Sequence, residues 1–169
     1  LLDGYQTGWS IEVAAKIIQS HRADALVTGP LHKERLQKGG YIFQGHTDFL
    51  AHLTKVPELT MMLANSILKV SLVTVHCGVD QISKRLTKQS LSRALDHTID
   101  ALKNDWGIKK PKIAVLALNP HAGEGGIFGQ EEIKIITPAI KRGQKKWGTA
   151  VSLSGPHPAD TFFAQYVNQ

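Results

Sequence analysis

The chain has 169 residues, of which 42% are apolar and 20% are charged, values typical of a globular chain able to form a core. It contains no apolar run of about 18 residues, and its first residues show no signal-peptide pattern, so we expect no membrane partner. Cys77 is the single cysteine, which excludes an internal disulfide and favours a reducing, cytoplasmic compartment.

Apolar residues recur at helical spacing in five segments. The predicted helices are 11–21 after an N-cap at Ser10, 31–38, 49–53, 88–106 after an N-cap at Thr87, and 130–147. Pro138 lies inside the last segment, where Thr137-Pro138 could equally start a second helix. The helix 88–106 has the clearest apolar stripe, formed by Leu91, Ala94, Leu95, Thr98, Ile99 and Leu102.

Short apolar runs alternate with these helices. The predicted strands are 25–28, 59–64, 70–75, 113–118 and 149–153. The runs 59–64 and 70–75 could form a hairpin or lie in a main sheet, and their periodicity does not decide between the two. Because helices and strands alternate without a repeat or linker, we predict one α/β segment over 1–169 with a largely parallel sheet.

The formal net charge of +6 is compatible with a phosphorylated substrate, a dinucleotide or a nucleic acid. The basic residues are scattered except for four on one predicted helix: Lys141, Arg142, Lys145 and Lys146. Aromatic residues, 7% of the chain, do not interleave with this cluster, so a solvated helix face explains it better than a nucleic-acid surface. We therefore expect no nucleic-acid partner.

The segment 117–132 predicts a corner at which a strand leads through a glycine-rich loop into a helix. His121 lies at its tip with Asn119 and Glu124 beside it, and we predict that His121 is a metal ligand in one wall of an active site. The glycines match neither dinucleotide nor Walker A spacing. They could still bind an anion at the helix N-terminus, or they could serve only a tight turn, and both interpretations stay open. Glu131 and Glu132 are expected to stabilise the start of the helix.

Three histidines are candidates for a shared site. His76 and His121 each follow an apolar run, and His46 lies in a glycine-flanked loop. Residues beyond the carboxyl ends of parallel strands converge, and neutral imidazole is a common transition-metal ligand. The spacing of the three is no local metal signature, so they could equally be unrelated loop histidines that bond to the backbone. Cys77 and the serines lack a nucleophile context.

Several motifs together closely resemble the 4-hydroxythreonine-4-phosphate dehydrogenase family of pyridoxal 5'-phosphate biosynthesis. They are A-L-V-T-G-P-L-H-K-E at 25–34, G-H-T-D-F-L-A at 45–51, V-T-V-H at 73–76, L-N-P-H-A-G-E-G-G-I-F-G-Q-E-E at 118–132 and G-P-H-P-A-D-T at 155–161. The resemblance extends from about residue 2 to residue 163.

This resemblance implies a two-domain α/β fold with a three-layer, mostly parallel sheet, related to the isocitrate and isopropylmalate dehydrogenases. It also implies a homodimer whose shared active site holds a divalent metal (zinc, magnesium or cobalt) on three histidines. His76 and His121 match two of these metal ligands, and His46 and Thr47 match the pair that binds the substrate. The resemblance assigns no catalytic or cofactor-binding residue in this chain.

Two motifs of the family are not found. The third metal ligand belongs to a Tyr-His-Asp-Gln motif that 166–169 does not match, and the opening Gly-Asp-Pro-Ala-Gly segment is absent. We therefore expect this chain to be the central portion of a longer two-domain enzyme, lacking both ends and inactive by itself.

The activity implied for the intact enzyme is oxidation of the C3 hydroxyl of 4-phosphohydroxy-L-threonine by NAD or NADP, followed by loss of CO2, in vitamin B6 biosynthesis. The metal is expected to polarise the hydroxyl. Cys77-Gly78 departs from the family pattern, so a related acid such as threonate or erythronate 4-phosphate is an alternative substrate. A further alternative is that the fragment acts only as a dimerisation or anion-binding module.

Overall fold

A computed structural model describes residues 2–56 and 58–166 and shows an α/β protein. The chain divides into two compact units, Leu1–Leu59 (unit 1) and Thr60–Gln169 (unit 2). No helix within the described ranges is both long and apolar enough to span a membrane.

Unit 1 is helical, with α1 (Leu2–Gln19), α2 (Lys33–Lys38) and α3 (His46–Thr54). Glycine permits the close contact of α1 with α2, because a Cβ atom on Gly4 would lie 1.8 Å from the Arg35 carbonyl oxygen. The core of the unit contains Leu36 and Phe49, which are 0% and 1% exposed. Phe43 stacks on Phe49 with a ring-centroid distance of 4.3 Å, so the start of α3 is firmly supported.

In unit 1 the predicted N-cap and the predicted strand are wrong, and the three predicted helices are confirmed with shifted bounds. The helix predicted at 11–21 is part of α1, which already begins at Leu2, so Ser10 lies inside the helix and its hydroxyl donates to the Thr7 carbonyl. The segment 25–28 is not a strand: no described residue pairs with it in a ladder, and Val27 is 94% exposed. A strand needs a hydrogen-bonding neighbour, which an apolar run does not supply by itself. The helices predicted at 31–38 and 49–53 are confirmed as α2 and α3.

The first strands of unit 2 form an antiparallel hairpin, β1 (Met61–Ala64) and β2 (Lys69–Leu72). Asn65 sets the turn, since its Oδ1 accepts the N–H groups of Ile67 and Leu68 at 2.9 and 2.7 Å. The hairpin alternative is therefore confirmed for these two runs.

The long helix of unit 2 confirms the sequence pattern most fully. A one-turn helix, α4 (Ile82–Arg85), precedes α5 (Lys88–Asn104). Thr87 caps α5 reciprocally with Ser90, each side chain accepting the other's backbone N–H at 3.0 and 2.9 Å. The predicted apolar stripe of α5 is buried at all six positions.

A parallel pair, β3 (Lys112–Leu116) and β4 (Ser152–His157), confirms the last two predicted strands with shifted bounds. The single mostly parallel sheet is not formed among residues 2–56 and 58–166, which contain one antiparallel and one parallel two-stranded sheet. The Asn65 turn pairs β1 with β2 instead of placing each beside a parallel neighbour. The core of unit 2 joins α5, these strands and the next helix through Leu86, Leu91, Leu95, Val115, Ile136, Ala139, Ile140 and Leu153.

The predicted helix 130–147 consists of two segments. A π-helical turn, Glu132–Ile136, leads into α6 (Thr137–Trp147), with Pro138 in the first turn of α6. Proline has no N–H to donate, so it fits where a helix starts. Ile136 and Thr137 both keep right-handed helical angles and Thr137 makes no side-chain cap, so the helical backbone continues past Pro138 and Thr137 is not the N-cap of a separate helix. The last helix is α7 (Ala159–Tyr166).

Candidate active site

The predicted corner lies where β3 and β4 end side by side. Leu116 is paired with His157, and the Ala117 N–H donates to the His157 carbonyl at 2.8 Å. A Cβ atom on Gly155 would lie 2.3 Å from the Val115 carbonyl oxygen, so only glycine allows this approach of the strands. Because the strands are parallel, the loops that follow them leave the sheet at the same edge.

His121 lies in a left-handed turn within Pro120–Gly126. Six consecutive residues have positive φ, from His121 at 53° to Gly126 at 103°. Three of them, His121, Ala122 and Glu124, are not glycine, and each costs roughly 1–2 kcal/mol relative to a right-handed conformation. Such strain persists where surrounding contacts determine the backbone, commonly at functional sites. The tight-turn interpretation of the glycines is confirmed, and anion binding stays a prediction.

The Glu132 side chain binds the backbone that leads into this turn. Its side chain is 3% exposed, and its Oε1 accepts the backbone N–H groups of Leu118 and Asn119 at 2.9 and 2.8 Å. Its Oε2 accepts the Asn119 Nδ2–H at 2.9 Å. Burial by itself would raise the pKa of the Glu132 carboxyl, but the hydrogen bonds from Asn119 and Leu118 outweigh burial and lower the pKa. Glu132 was predicted to stabilise the start of the following helix. That prediction is incomplete, because the carboxylate binds the backbone before the turn.

Two glycines of the corner are required by close contacts. A Cβ atom on Gly123 would lie 2.6 Å from Glu132 Oε2, and one on Gly129 would lie 2.4 Å from Asn119 Nδ2. Asn119 Nδ2 also donates to Glu131 Oε2 at 2.9 Å. At Gly123 and Gly129 the amide of Asn119 and the two carboxylates thus leave no room for an added Cβ.

The His121 imidazole extends from the turn and is 68% exposed. Its Nδ1 lies 3.9 Å from Oδ2 of Asp160, in the first turn of α7, and its ring centroid lies 6.3 Å from that of Phe128. A carboxylate on the Nδ1 side leaves Nε2 available to a metal. Sequence reasoning did not single out Asp160, although its place just after β4 is the same signal that identified His121.

His76 differs from its predicted setting. Strand β2 ends at Leu72, so the segment 73–75 is not part of it and His76 lies in an exposed bend. Its φ of 50° is left-handed, like that of His121. Both proposed metal ligands therefore project from backbone conformations that non-glycine residues rarely adopt.

His46 and Thr47 are the first two residues of α3 in unit 1, whereas His76 and His121 belong to unit 2. His46 is half-buried and Thr47 is exposed. Gly45 gives α3 no side-chain cap, so the first N–H groups of the helix keep their capacity to bind an anion. The loop before α3 is held by Asp48, which accepts the Gln44 N–H at 2.5 Å.

His76 and His121 stay predicted metal ligands, and their chemistry is compatible with a divalent cation. Both are exposed nitrogen donors, and His121 has the nearby carboxylate that commonly orients a metal-binding histidine. In the described part of the chain, no three His, Cys, Asp or Glu residues are grouped closely enough to hold a metal ion. A catalytic zinc usually needs three protein ligands, so one more is required. Of the segment 166–169, which fails to match the third-ligand motif, only Tyr166 is described.

An apolar cavity of about 590 Å³ lies within unit 2, between the strands and α5. Val70, Leu91, Val115 and Phe162 are among its lining residues, whereas His76 and His121 are not. His76 is exposed in its own bend and the His121 ring is exposed on the corner, and neither lines this cavity.

Comparison with known proteins gives consistent matches over nearly the whole chain. The family model described as pyridoxal phosphate biosynthetic protein PdxA matches residues 3–169. A Bradyrhizobium diazoefficiens protein provisionally named D-threonate 4-phosphate dehydrogenase is 46% identical over 92% of this chain and 44% of its own length. The 4-hydroxythreonine-4-phosphate dehydrogenase of Vibrio parahaemolyticus is 41% identical over 98% of this chain and 50% of its own length.

Solved structures agree with these matches. The crystal structure of 4-hydroxythreonine-4-phosphate dehydrogenase from Klebsiella pneumoniae superimposes with a TM-score of 0.84 at 36% identity, covering 94% of this chain and 46% of that one. The chain spans about half the length of the curated relatives it matches.

Proposed function

Because the chain belongs to the PdxA family of pyridoxal phosphate biosynthetic proteins, we propose that the whole protein is a dehydrogenase of 4-phosphohydroxy-L-threonine. In this reaction NAD or NADP accepts a hydride from C3, the C3 hydroxyl loses its proton, and the resulting keto acid loses CO2. One observation carries the proposal. At the end of the parallel strand pair, a left-handed turn held by the buried carboxylate of Glu132 presents His121.

His76 and His121 would hold a divalent cation such as zinc, magnesium or cobalt. When bound, such an ion supplies a Lewis acid beside the substrate oxygen. The ligands are neutral imidazoles, which add no negative charge and so leave the ion strongly electrophilic. Asp160 would keep the His121 ring oriented by receiving its Nδ1–H.

His46 and Thr47 would bind the substrate by hydrogen bonds. Both stand in the first turn of α3, where free backbone N–H groups and the helix dipole favour a negatively charged group. The net charge of +6 also favours a phosphorylated substrate. These features support a small anionic substrate and assign no role to a nucleic acid.

The larger assembly is part of the same proposal. We propose that the whole protein has the two-domain architecture of the isocitrate and isopropylmalate dehydrogenases and contains this chain as its central portion. We also propose a cytoplasmic homodimer with a shared active site, in which the remaining metal ligand comes from outside the described residues. The finding that no three such ligands are grouped in the described part of the chain supports that need for a further contributor.

A second candidate function is oxidation of D-threonate 4-phosphate. It is favoured by the 46% identity to the Bradyrhizobium diazoefficiens protein, against 41% for the Vibrio parahaemolyticus enzyme. Steady-state kinetics of the whole protein with each phosphorylated substrate, and with NAD and NADP, distinguish the two candidates. The preferred substrate is the one with the higher kcat/KM.

The role of His121 is tested by His121→Ala in the whole protein. We expect metal affinity and turnover to fall by at least about 100-fold, the upper end of the loss produced by removing an outer partner of a ligand. His21→Ala is a matched control, because His21 is also exposed and has a left-handed φ of 55°. Equal metal binding and turnover in the two variants would refute the proposed site, and tight binding by the wild type would exclude an inert module.

A further inference from the structure

We infer that Glu132 is a positioning residue for His121. Its buried carboxylate fixes the backbone on both sides of His121 and so sets the direction of that imidazole. This inference rests on the proposed function, in which His121 is a metal ligand. No local sequence pattern connects Glu132 with His121, and the connection arises from packing.

The carboxylate holds the approach to the turn through three hydrogen bonds. Two come from consecutive backbone N–H groups, those of Leu118 and Asn119, and one comes from the Asn119 side chain. An anionic acceptor makes each bond stronger than a neutral one would be. Pro120 then joins Asn119 to His121, and its ring restricts φ. Fixing Asn119 therefore fixes the direction in which the left-handed turn begins.

The same carboxylate also supports the turn after His121. A Cβ atom on Gly123 would lie 2.6 Å from Glu132 Oε2, so the backbone of this buried glycine rests directly on the carboxylate. His121 is thus held between two contacts of one rigid group. Strained residues need this kind of support, because the relaxed right-handed conformation is otherwise lower in energy.

A positioning role differs from a purely structural role in what it predicts. The side-chain contacts of Glu132 are made with the corner, whereas Ile136, Ala139 and Ile140 anchor the following helix in the apolar core. Loss of the carboxylate is therefore expected to disturb the corner of a protein that still folds. Metal affinity and kcat should change, while the KM for a substrate bound at His46 and Thr47 should change little.

The test is Glu132→Gln in the whole protein, with cobalt(II) and zinc(II) titrated calorimetrically and folding followed by circular dichroism. Glutamine keeps the shape but turns an N–H2 group toward groups that donate, so we expect the metal dissociation constant to rise about tenfold. The matched control is Glu131→Gln, which removes a carboxylate whose hydrogen bond, among the residues described, comes from the Asn119 side chain and not from the backbone. We expect this control to stay within about threefold of wild type, and an equal effect of both variants would overturn the inference.

Two further variants separate the possible failures. If His121→Ala abolishes metal binding while Glu132→Gln binds as tightly as wild type, the inference is wrong and the proposed function stands. If His121→Ala still binds the metal, the proposed function fails and the inference fails with it. Glu132→Asp keeps the charge and should recover part of the affinity lost in Glu132→Gln.

A measurement on the wild type covers the case in which Glu132→Gln does not fold. The amide protons of Leu118 and Asn119 should exchange with solvent as slowly as those of the buried stripe of α5, because both donate to the buried carboxylate. Fast exchange of these two amides in the folded protein would overturn the inference.

Discussion

Substitution of Gly123 by alanine is the most direct probe of the packed corner. Gly123 has φ of 78°, a conformation that costs an alanine roughly 1–2 kcal/mol. Its new Cβ would lie 2.6 Å from Glu132 Oε2, so this oxygen has to move, which disturbs its bond from Asn119 Nδ2–H and the backbone bonds to Oε1. Weakening such charge-assisted bonds costs about 1.5–3 kcal/mol. Alanine also restricts the unfolded chain, which offsets about 0.4–1 kcal/mol.

These terms give a net destabilisation of about 2–4 kcal/mol for Gly123→Ala. Urea unfolding followed by circular dichroism measures it, and we expect the transition midpoint to fall by about 1–2 M. Gly125→Ala is the matched control, since Gly125 has a similar φ of 66° but no atom within 4 Å of its Cβ position. It should lose only about 0.5–1 kcal/mol, the conformational difference alone. Equal losses in the two variants would refute the packing of the carboxylate against Gly123.

Three further predictions concern groups with defined contacts. The pKa of Glu132 is lowered in the folded state, so its stabilising effect is fully present above the ordinary value of 4.5 and is lost as pH falls from there through the lower folded value. The difference in urea midpoint between wild type and Glu132→Gln should therefore be constant above pH 4.5 and shrink as pH falls below it. Thr87→Ala removes the reciprocal cap with Ser90 and should cost about 1 kcal/mol in the free energy of unfolding, and no loss would contradict the observed cap. Asp160→Asn should weaken metal binding in the whole protein about tenfold by calorimetry, and an unchanged affinity would show that this carboxylate does not orient the ring of His121.

The sequence determined the elements whose information is local. Helix α5 follows from its apolar spacing and from the cap at Thr87, and every residue of its predicted stripe is buried. Both signals act within one or two helical turns, so no distant partner is needed to interpret them. The corner around His121 was also predictable, because an apolar run followed by several glycines and a helical pattern marks a strand-to-helix connection.

Only the tertiary structure decided the features that depend on a partner distant in sequence. The run 25–28 has an apolar strand composition but no ladder neighbour within 2–56 and 58–166, whereas the similar run at 61–64 pairs with β2. The approach of Asp160 to His121 follows from the parallel pairing of β3 and β4, which places their following loops at one edge. The local spacing of residues predicts neither the β1–β2 pairing nor the β3–β4 pairing, because strand hydrogen bonds are made between segments and not within them.

The role of Glu132 shows the same division most clearly. In the sequence it is one of two acidic residues at the start of a helical pattern, where a favourable helix dipole is sufficient reason for it. In the folded chain it is buried under the corner and accepts the N–H groups of Leu118 and Asn119. The sequence thus determined where the corner is and that His121 stands on it. Packing alone decided that the buried carboxylate of Glu132 holds the corner, because a buried carboxylate is stable only where a folded backbone brings donors to it.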